Sequence, residues 1–248
     1  MKIRIPILLL VLSCLLTLVS CHSGSPFHLY EQFLEQMEQA NGMAATTRTM
    51  ITVKTGNESS SYETRMTLRY SGDSIYILSD EIERLYVDGT LYLTMGDSKS
   101  KQSINLEEFK ELYGFETIYL SFPEIPSDTV KKTMLTESGN LRFFTAKLDP
   151  TANKDFAMDV YRTLMRTENE SLLSSISVQA IVVTPTFDQD GTIAKLHVKC
   201  EYRQALDDDN LTDITIDMYY TFIEPGVTPT VTAPADADAY PMIENTPE

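Results

Sequence analysis

Alternation of apolar and polar positions is the strongest pattern in the chain and predicts long β-strands with one apolar face. Two runs show it most clearly, at 62–70 and 214–222, where Met, Leu, Ile, Tyr and Phe alternate with charged residues and Thr. The same period predicts further strands at 49–54, 74–78, 85–93, 130–136, 141–148, 176–183 and 192–203.

A period of three to four residues replaces this alternation in three places and predicts helices. Residues 27–42 form an amphipathic pattern with glutamates on the polar face. Asn105 and Glu108 have the spacing of a capping box, which predicts a short helix that ends at Tyr113. Apolar residues every fourth position support a third helix at 151–166.

The order of these elements predicts an α+β fold. Long antiparallel strands with one apolar face need a cover on that face, and the few helices are the available cover. We therefore expect a strongly curved antiparallel β-sheet, a half-barrel, wrapped around a few helices at 27–224. Five prolines at 225–248 predict an extended or frayed acidic tail.

The first 21 residues form a separate segment. Lys2 and Arg4 precede an apolar run that is too short for a transmembrane helix, and this predicts an export signal at 1–20. The run Leu18-Val19-Ser20-Cys21 resembles the bacterial lipobox, whose cysteine is diacylated. The resemblance implies lipidation at Cys21, a tether at 21–26, and a membrane-anchored lipoprotein on the extracytoplasmic face of the cell membrane. An ordinary secretory signal, or a lipobox at Cys14, is the alternative.

Charge and cysteine usage narrow the function classes. The chain has 20 basic and 36 acidic residues, a net charge of −16, and this balance repels nucleic acid and anionic membrane surfaces. Membrane attachment therefore depends on the lipid on Cys21.

Of three cysteines, Cys200 alone stands beyond the N-terminal segment, and its place on an apolar strand face predicts a buried, inert thiol.

No motif indicates catalysis or a metal. His22, His28 and His197 lack metal-ligand spacing, and the acidic run at 207–213 fails the EF-hand pattern. Gly-rich phosphate loops and nucleophile motifs are also missing from the sequence. We expect a non-enzymatic protein without a cofactor.

Five segments together resemble the LolA/LolB-like half-barrel superfamily, which includes LppX/LprG-type lipoproteins and related uncharacterised Gram-positive lipoproteins. They are the lipobox, the helix that follows the tether, the Asp88-Gly89 hairpin at 86–92, the turn at 190–193, and the closing strand at 219–222. Members of this superfamily hold a lipid or another apolar ligand between sheet and helices, or have no known ligand, and the resemblance implies the same two alternatives for this chain. It transfers no individual ligand-binding residue.

The apolar strand faces supply the candidate ligand-binding residues, which are Met66, Leu68, Tyr70, Leu196, Met218, Tyr220 and Phe222. Met adapts to varied shapes and Tyr adds a polar tip, so these residues suit a cavity for an apolar or amphipathic ligand. In the alternative interpretation they form a solid core. The protein is then a surface interaction module that binds envelope protein or cell-wall partners through an acidic outer face.

Overall fold

A computed structural model describes residues 26–39, 41–115, 122–123, 128–205 and 211–243. The predicted export signal, Cys21 and the acidic residues at 207–209 lie outside the described residues.

Eleven antiparallel strands form one sheet in the order β6-β5-β4-β3-β2-β1-β11-β10-β9-β8-β7. The strands are β1 (Gly42–Thr55), β2 (Glu58–Ser71), β3 (Ser74–Ser79), β4 (Ile82–Val87), β5 (Thr90–Met95), β6 (Ser98–Ser103), β7 (Val130–Ser138), β8 (Leu141–Leu148), β9 (Ile176–Phe187), β10 (Ile193–Ala205) and β11 (Leu211–Phe222). The sheet is curved and unclosed, with β6 and β7 at its two ends. The predicted α+β half-barrel is confirmed.

Three helices lie at the predicted places, namely α1 (Pro26–Gln39), α2 (Leu106–Tyr113) and α3 (Lys154–Met165). A short fourth helix, α4 (Glu170–Ser174), was not predicted. The capping box of α2 is confirmed, because Asn105 Oδ1 accepts from Glu108 N at 2.9 Å and Glu108 Oε2 accepts from Asn105 N at 3.2 Å. Helix α3 begins later than expected, since Asp149 first forms a turn in which its Oδ1 accepts from Thr151 N at 2.8 Å.

The predicted alternation of inward and outward side chains along β11 is also confirmed. Met218 and Tyr220 are each 3% exposed on the inner face, whereas Asp217 and Tyr219 lie on the outer face. The thiol of Cys200 is fully buried, and burial raises its pKa to about 12, as expected for an inert cysteine.

The core lies between the inner face of the sheet and the helices. Phe33 of α1 packs on Phe222, with ring centroids 5.1 Å apart. Tyr161 of α3 packs on Tyr202 at 5.1 Å, and the Tyr202 hydroxyl donates to Ala157 O at 2.7 Å. Aromatic contacts and one buried hydrogen bond therefore hold two of the helices to the sheet.

The C-terminal tail is extended and docked rather than frayed as far as Ile243. It crosses the outer face of β4 and β5, where Tyr240 is buried, packs on Tyr92 at 5.4 Å and shares a 2.9 Å hydrogen bond with Thr94. It then reaches the edge of β6. There the backbone N–H of Lys101 donates to Pro241 O at 2.9 Å, and Ile243 N–H donates to Lys101 O at 2.7 Å.

Candidate ligand cavity on the inner face

The seven predicted ligand-binding residues all lie on the inner face of the sheet. Five are buried in the core, namely Leu68, Leu196, Met218, Tyr220 and Phe222. Tyr70 is partly buried against Phe115, with ring centroids 6.0 Å apart, and burial raises the pKa of its hydroxyl. Met66 alone among the seven faces the open cavity described next. The binding role of all seven stays a prediction.

A cavity of about 880 Å³ opens between the inner face of β1–β4 and helices α2 and α3. Its apolar wall comes from both the sheet and α3, through the side chains of Ile51, Met66, Ile77 and Leu164. The volume lies within the range of small-molecule sites in proteins. The inner face is thus not a uniformly solid core, as the alternative interpretation required.

The entrance of the cavity combines exposed apolar side chains with charges. Tyr62 and Leu112 both line the cavity and are 61% and 62% exposed, so apolar surface continues to the solvent. Four basic and four acidic side chains also line it, namely Arg84, Lys110, Arg162, Arg166, Asp80, Glu107, Glu111 and Glu168. Their formal charges cancel, which sets this region apart from the strongly negative chain as a whole.

Two arginines near the entrance have different hydrogen-bonding states. Arg84 Nη1 donates to Ser79 Oγ at 2.9 Å, and its guanidinium lies 5.3 Å from the centre of the Tyr113 ring. Arg162 Nη1 lies 3.3 Å from Asp159 Oδ1, but its buried Nε has no hydrogen-bond partner in the described structure. A ligand oxygen would satisfy that donor, since buried polar groups in proteins are normally paired.

The charged residues of the cavity do not follow from the sequence, because only the apolar strand faces supply candidate ligand-binding residues and the helices are expected only to cover the sheet. The available signal was the pair Arg162 and Arg166, four residues apart in sequence, which the structure places in the last turn of α3 and at its C-cap.

A strained turn borders the cavity between β3 and β4. Asp80 and Glu81 have φ values of 48° and 67°, a backbone region that costs non-glycine residues energy. The adjacent hairpin instead uses Asp88 and Gly89, the favoured pair for this turn geometry. Strain of this kind concentrates near functional sites in proteins.

Within the described ranges, no group of three or more His, Cys, Asp or Glu side chains is arranged to hold a metal ion. Among the same residues, no helix is both long and apolar enough to cross a membrane.

The half-barrel is similar to several solved structures at low sequence identity. No family model matches the sequence, and no curated protein matches it either. Similar solved structures include LprF from Mycobacterium bovis, with 12% identity and a TM-score of 0.33 over 82% of this chain and 96% of that one. The LolA superfamily protein NE2245 from Nitrosomonas europaea has 8% identity and a TM-score of 0.21, covering 81% and 97%. A DUF1329 family protein from Desulfovibrio piger has 9% identity and a TM-score of 0.20, covering 77% and 89%. Likeness at this level concerns the fold alone and carries no argument about function.

Proposed function

We propose that this protein is a lipid-anchored extracytoplasmic lipoprotein that binds an apolar or amphipathic ligand, without catalysis, in the inner-face cavity. The observation that carries the proposal is the cavity itself, which has an apolar wall and a charged entrance. Such a site suits a ligand with an apolar body and a polar end. Each methylene group transferred from water to the apolar wall contributes about 0.8 kcal/mol.

Ligand binding is tested by native mass spectrometry on protein purified without detergent, followed by titration with a dansyl-labelled fatty acid. Thr64 lies on the inner face of β2 and lines the cavity, so Thr64→Trp should fill part of the space. Ser61 is exposed on the outer face of the same strand, and its hydroxyl lies 3.1 Å from that of Thr52. Ser61→Trp is therefore the matched control.

We expect Thr64→Trp to weaken probe binding at least tenfold, and Ser61→Trp to leave it unchanged. The two variants add the same side chain to the same strand, so a difference between them reports on the cavity. Failure of the wild-type protein to bind the probe or to retain any ligand would contradict the proposal. Equal effects of both substitutions would place the binding elsewhere.

Anchoring rests on the lipobox resemblance and needs its own experiment. Metabolic labelling with a fatty-acid analogue should label the wild-type protein and Cys14→Ser, and should fail for Cys21→Ser. Labelling that survives Cys21→Ser but is lost in Cys14→Ser would move the anchor to the earlier cysteine. Absence of label from every form would indicate an ordinary secretory signal.

A further inference from the structure

A second depression, of about 1160 Å³, crosses the outer face of the sheet, opposite the core. Strands β2, β1, β11, β10 and β9 form its floor. Neighbouring strands lie about 4.8 Å apart, so these five strands span about 19 Å. We name this depression the outer groove. It shares Met66, Ser79 and Asp80 with the lining of the inner-face cavity but opens on the other side of the sheet. The inference below does not depend on the proposed function.

The strand register arranges the side chains of the outer groove in two parallel rows. The first row, the cationic row, contains Arg65, Arg48, Tyr219, His197 and Thr184, each directly opposite the next on the neighbouring strand. The second, the threonine row, contains Thr67, Thr46, Thr221, Lys195 and Thr186 in the same relation. All ten residues line the groove. The rows lie two residues apart along each strand, which is about 6.8 Å.

Stacking holds the centre of the cationic row in place. The Arg48 guanidinium carbon lies 4.4 Å from the centre of the Tyr219 ring. The His197 ring stacks on the same tyrosine at 4.2 Å with an interplanar angle of 8°. His197 Nε2 in turn lies 2.7 Å from Oδ1 of the buried Asp217. A stacked guanidinium is pre-organised, so it loses less side-chain entropy when it binds an anion.

The positive charges of the outer groove are incompletely neutralised. Among the described residues, no carboxylate lies within 4 Å of the Arg48 guanidinium or of Lys195 Nζ, although Arg65 Nε donates to Glu63 at 2.7 Å. Arg48 and Arg65 also stand directly opposite each other, a like-charge pair that destabilises a sheet. The two acidic side chains in the lining, Asp80 and Glu81, belong to the β3–β4 turn. The expected acidic outer face is therefore wrong for this region.

We propose that the outer groove binds an acidic glycan, with its carboxylate or phosphate groups on Arg48 and Lys195 and its hydroxyls on the threonine row. Guanidinium groups bind such anions through paired hydrogen bonds, and threonine hydroxyls both donate and accept. Leu78, Phe143 and Tyr219 are the apolar side chains of the outer face in this lining, to which Met66, Leu196 and Tyr220 also contribute atoms. The charged and hydroxyl side chains stand in two continuous rows across five strands, and an extended hydroxyl-rich chain with acidic groups matches that order.

Isothermal titration with trigalacturonate tests the proposal, with neutral maltotriose as the control ligand. We expect trigalacturonate to bind and maltotriose to bind at least tenfold more weakly. Arg48→Gln should weaken trigalacturonate binding at least tenfold, and Arg65→Gln severalfold. Arg69→Gln is the matched control, because Arg69 lies on the same face of β2 over Tyr76, outside the groove lining. It should leave the affinity unchanged.

Thr46→Val separates a glycan site from a plain anion site, since it removes one hydroxyl from the threonine row and keeps the side-chain shape. We expect a severalfold loss of trigalacturonate affinity, whereas inorganic phosphate should bind wild type and Thr46→Val equally. Absence of trigalacturonate binding, or equal losses in Arg48→Gln and Arg69→Gln, would overturn the proposal. Loss in Arg48→Gln with none in Thr46→Val would overturn the glycan assignment in favour of a simple anion. If Arg48→Gln does not fold, Arg65→Gln replaces it in both comparisons, because the Arg65 side chain is largely exposed and its substitution should not disturb folding.

Discussion

Two adjacent residues of β11 should differ strongly in how much their truncation destabilises the protein. Met218 is 3% exposed and lies opposite Thr49 and Val198 on the neighbouring strands, so Met218→Ala leaves a cavity in the core. Substitutions of this kind cost about 2–5 kcal/mol. Tyr219→Ala removes the stacking on His197, worth about 0.5–1.5 kcal/mol, and the contact with Arg48, worth about 0.5–1 kcal/mol. We expect a loss of about 1–2.5 kcal/mol for that variant.

Urea unfolding followed by circular dichroism measures both losses. If the free energy of unfolding depends on urea concentration with the same slope in all variants, a shifted midpoint reports a change in stability and not a change in the unfolded state. Because domains of this kind are stable by only about 5–15 kcal/mol, a difference of 1–3 kcal/mol is readily measured. A loss for Tyr219→Ala equal to or larger than that for Met218→Ala would refute the placement of Met218 in the core and of Tyr219 on the outer face.

Three further predictions concern the β3–β4 turn, helix α2 and the buried thiol. Glu81→Gly should stabilise the protein by up to about 1 kcal/mol in urea unfolding, because glycine tolerates the φ of 67°; a destabilised variant would contradict the strained turn. Asn105→Ala should cost about 0.5–2 kcal/mol by removing the cap on α2, and an unchanged midpoint would show that the capping box is not formed. Burial raises the pKa of Cys200 from 9.0 to about 12, so the native state keeps a proton that the unfolded state loses, and the free energy of unfolding should fall as pH rises above 9. Cys200→Ala should reduce that slope, and equal slopes in both proteins would contradict the burial.

The sequence predicted the elements that carry a periodic apolar signal. The eleventh strand, the capped helix α2 and the buried Cys200 all follow from local patterns. Strand β6 was missed because its sequence, Ser-Lys-Ser-Lys-Gln-Ser, contains no apolar residue and therefore no alternation to detect. Pairing with β5 through the backbone makes it a strand.

Both candidate binding regions depend on geometry that local patterns do not contain. Alternation places Arg48 and Tyr219 on outer faces, but only the pairing of β1 with β11 puts them opposite each other. These strands are far apart in sequence, so no short window contains the stack. The inner-face cavity likewise depends on where α2 and α3 stop covering the sheet. The alternation along β2 correctly placed Met66 on the inner face. It could not show that Met66 lines a cavity whereas Leu68 is buried in the core.

The docked tail has a consequence for how the protein avoids self-association. A free sheet edge is a template for pairing with another chain, and lysines on an edge strand commonly discourage such pairing. On β6 both lysines are already engaged by the tail, Lys99 with Asp236 and Lys101 Nζ with Ala237 O at 2.8 Å. The backbone of Lys101 is paired with the tail as well. Proteolytic loss of the tail would therefore uncover a strand edge, and we expect the truncated protein to self-associate more readily than one whose tail is docked as far as Ile243.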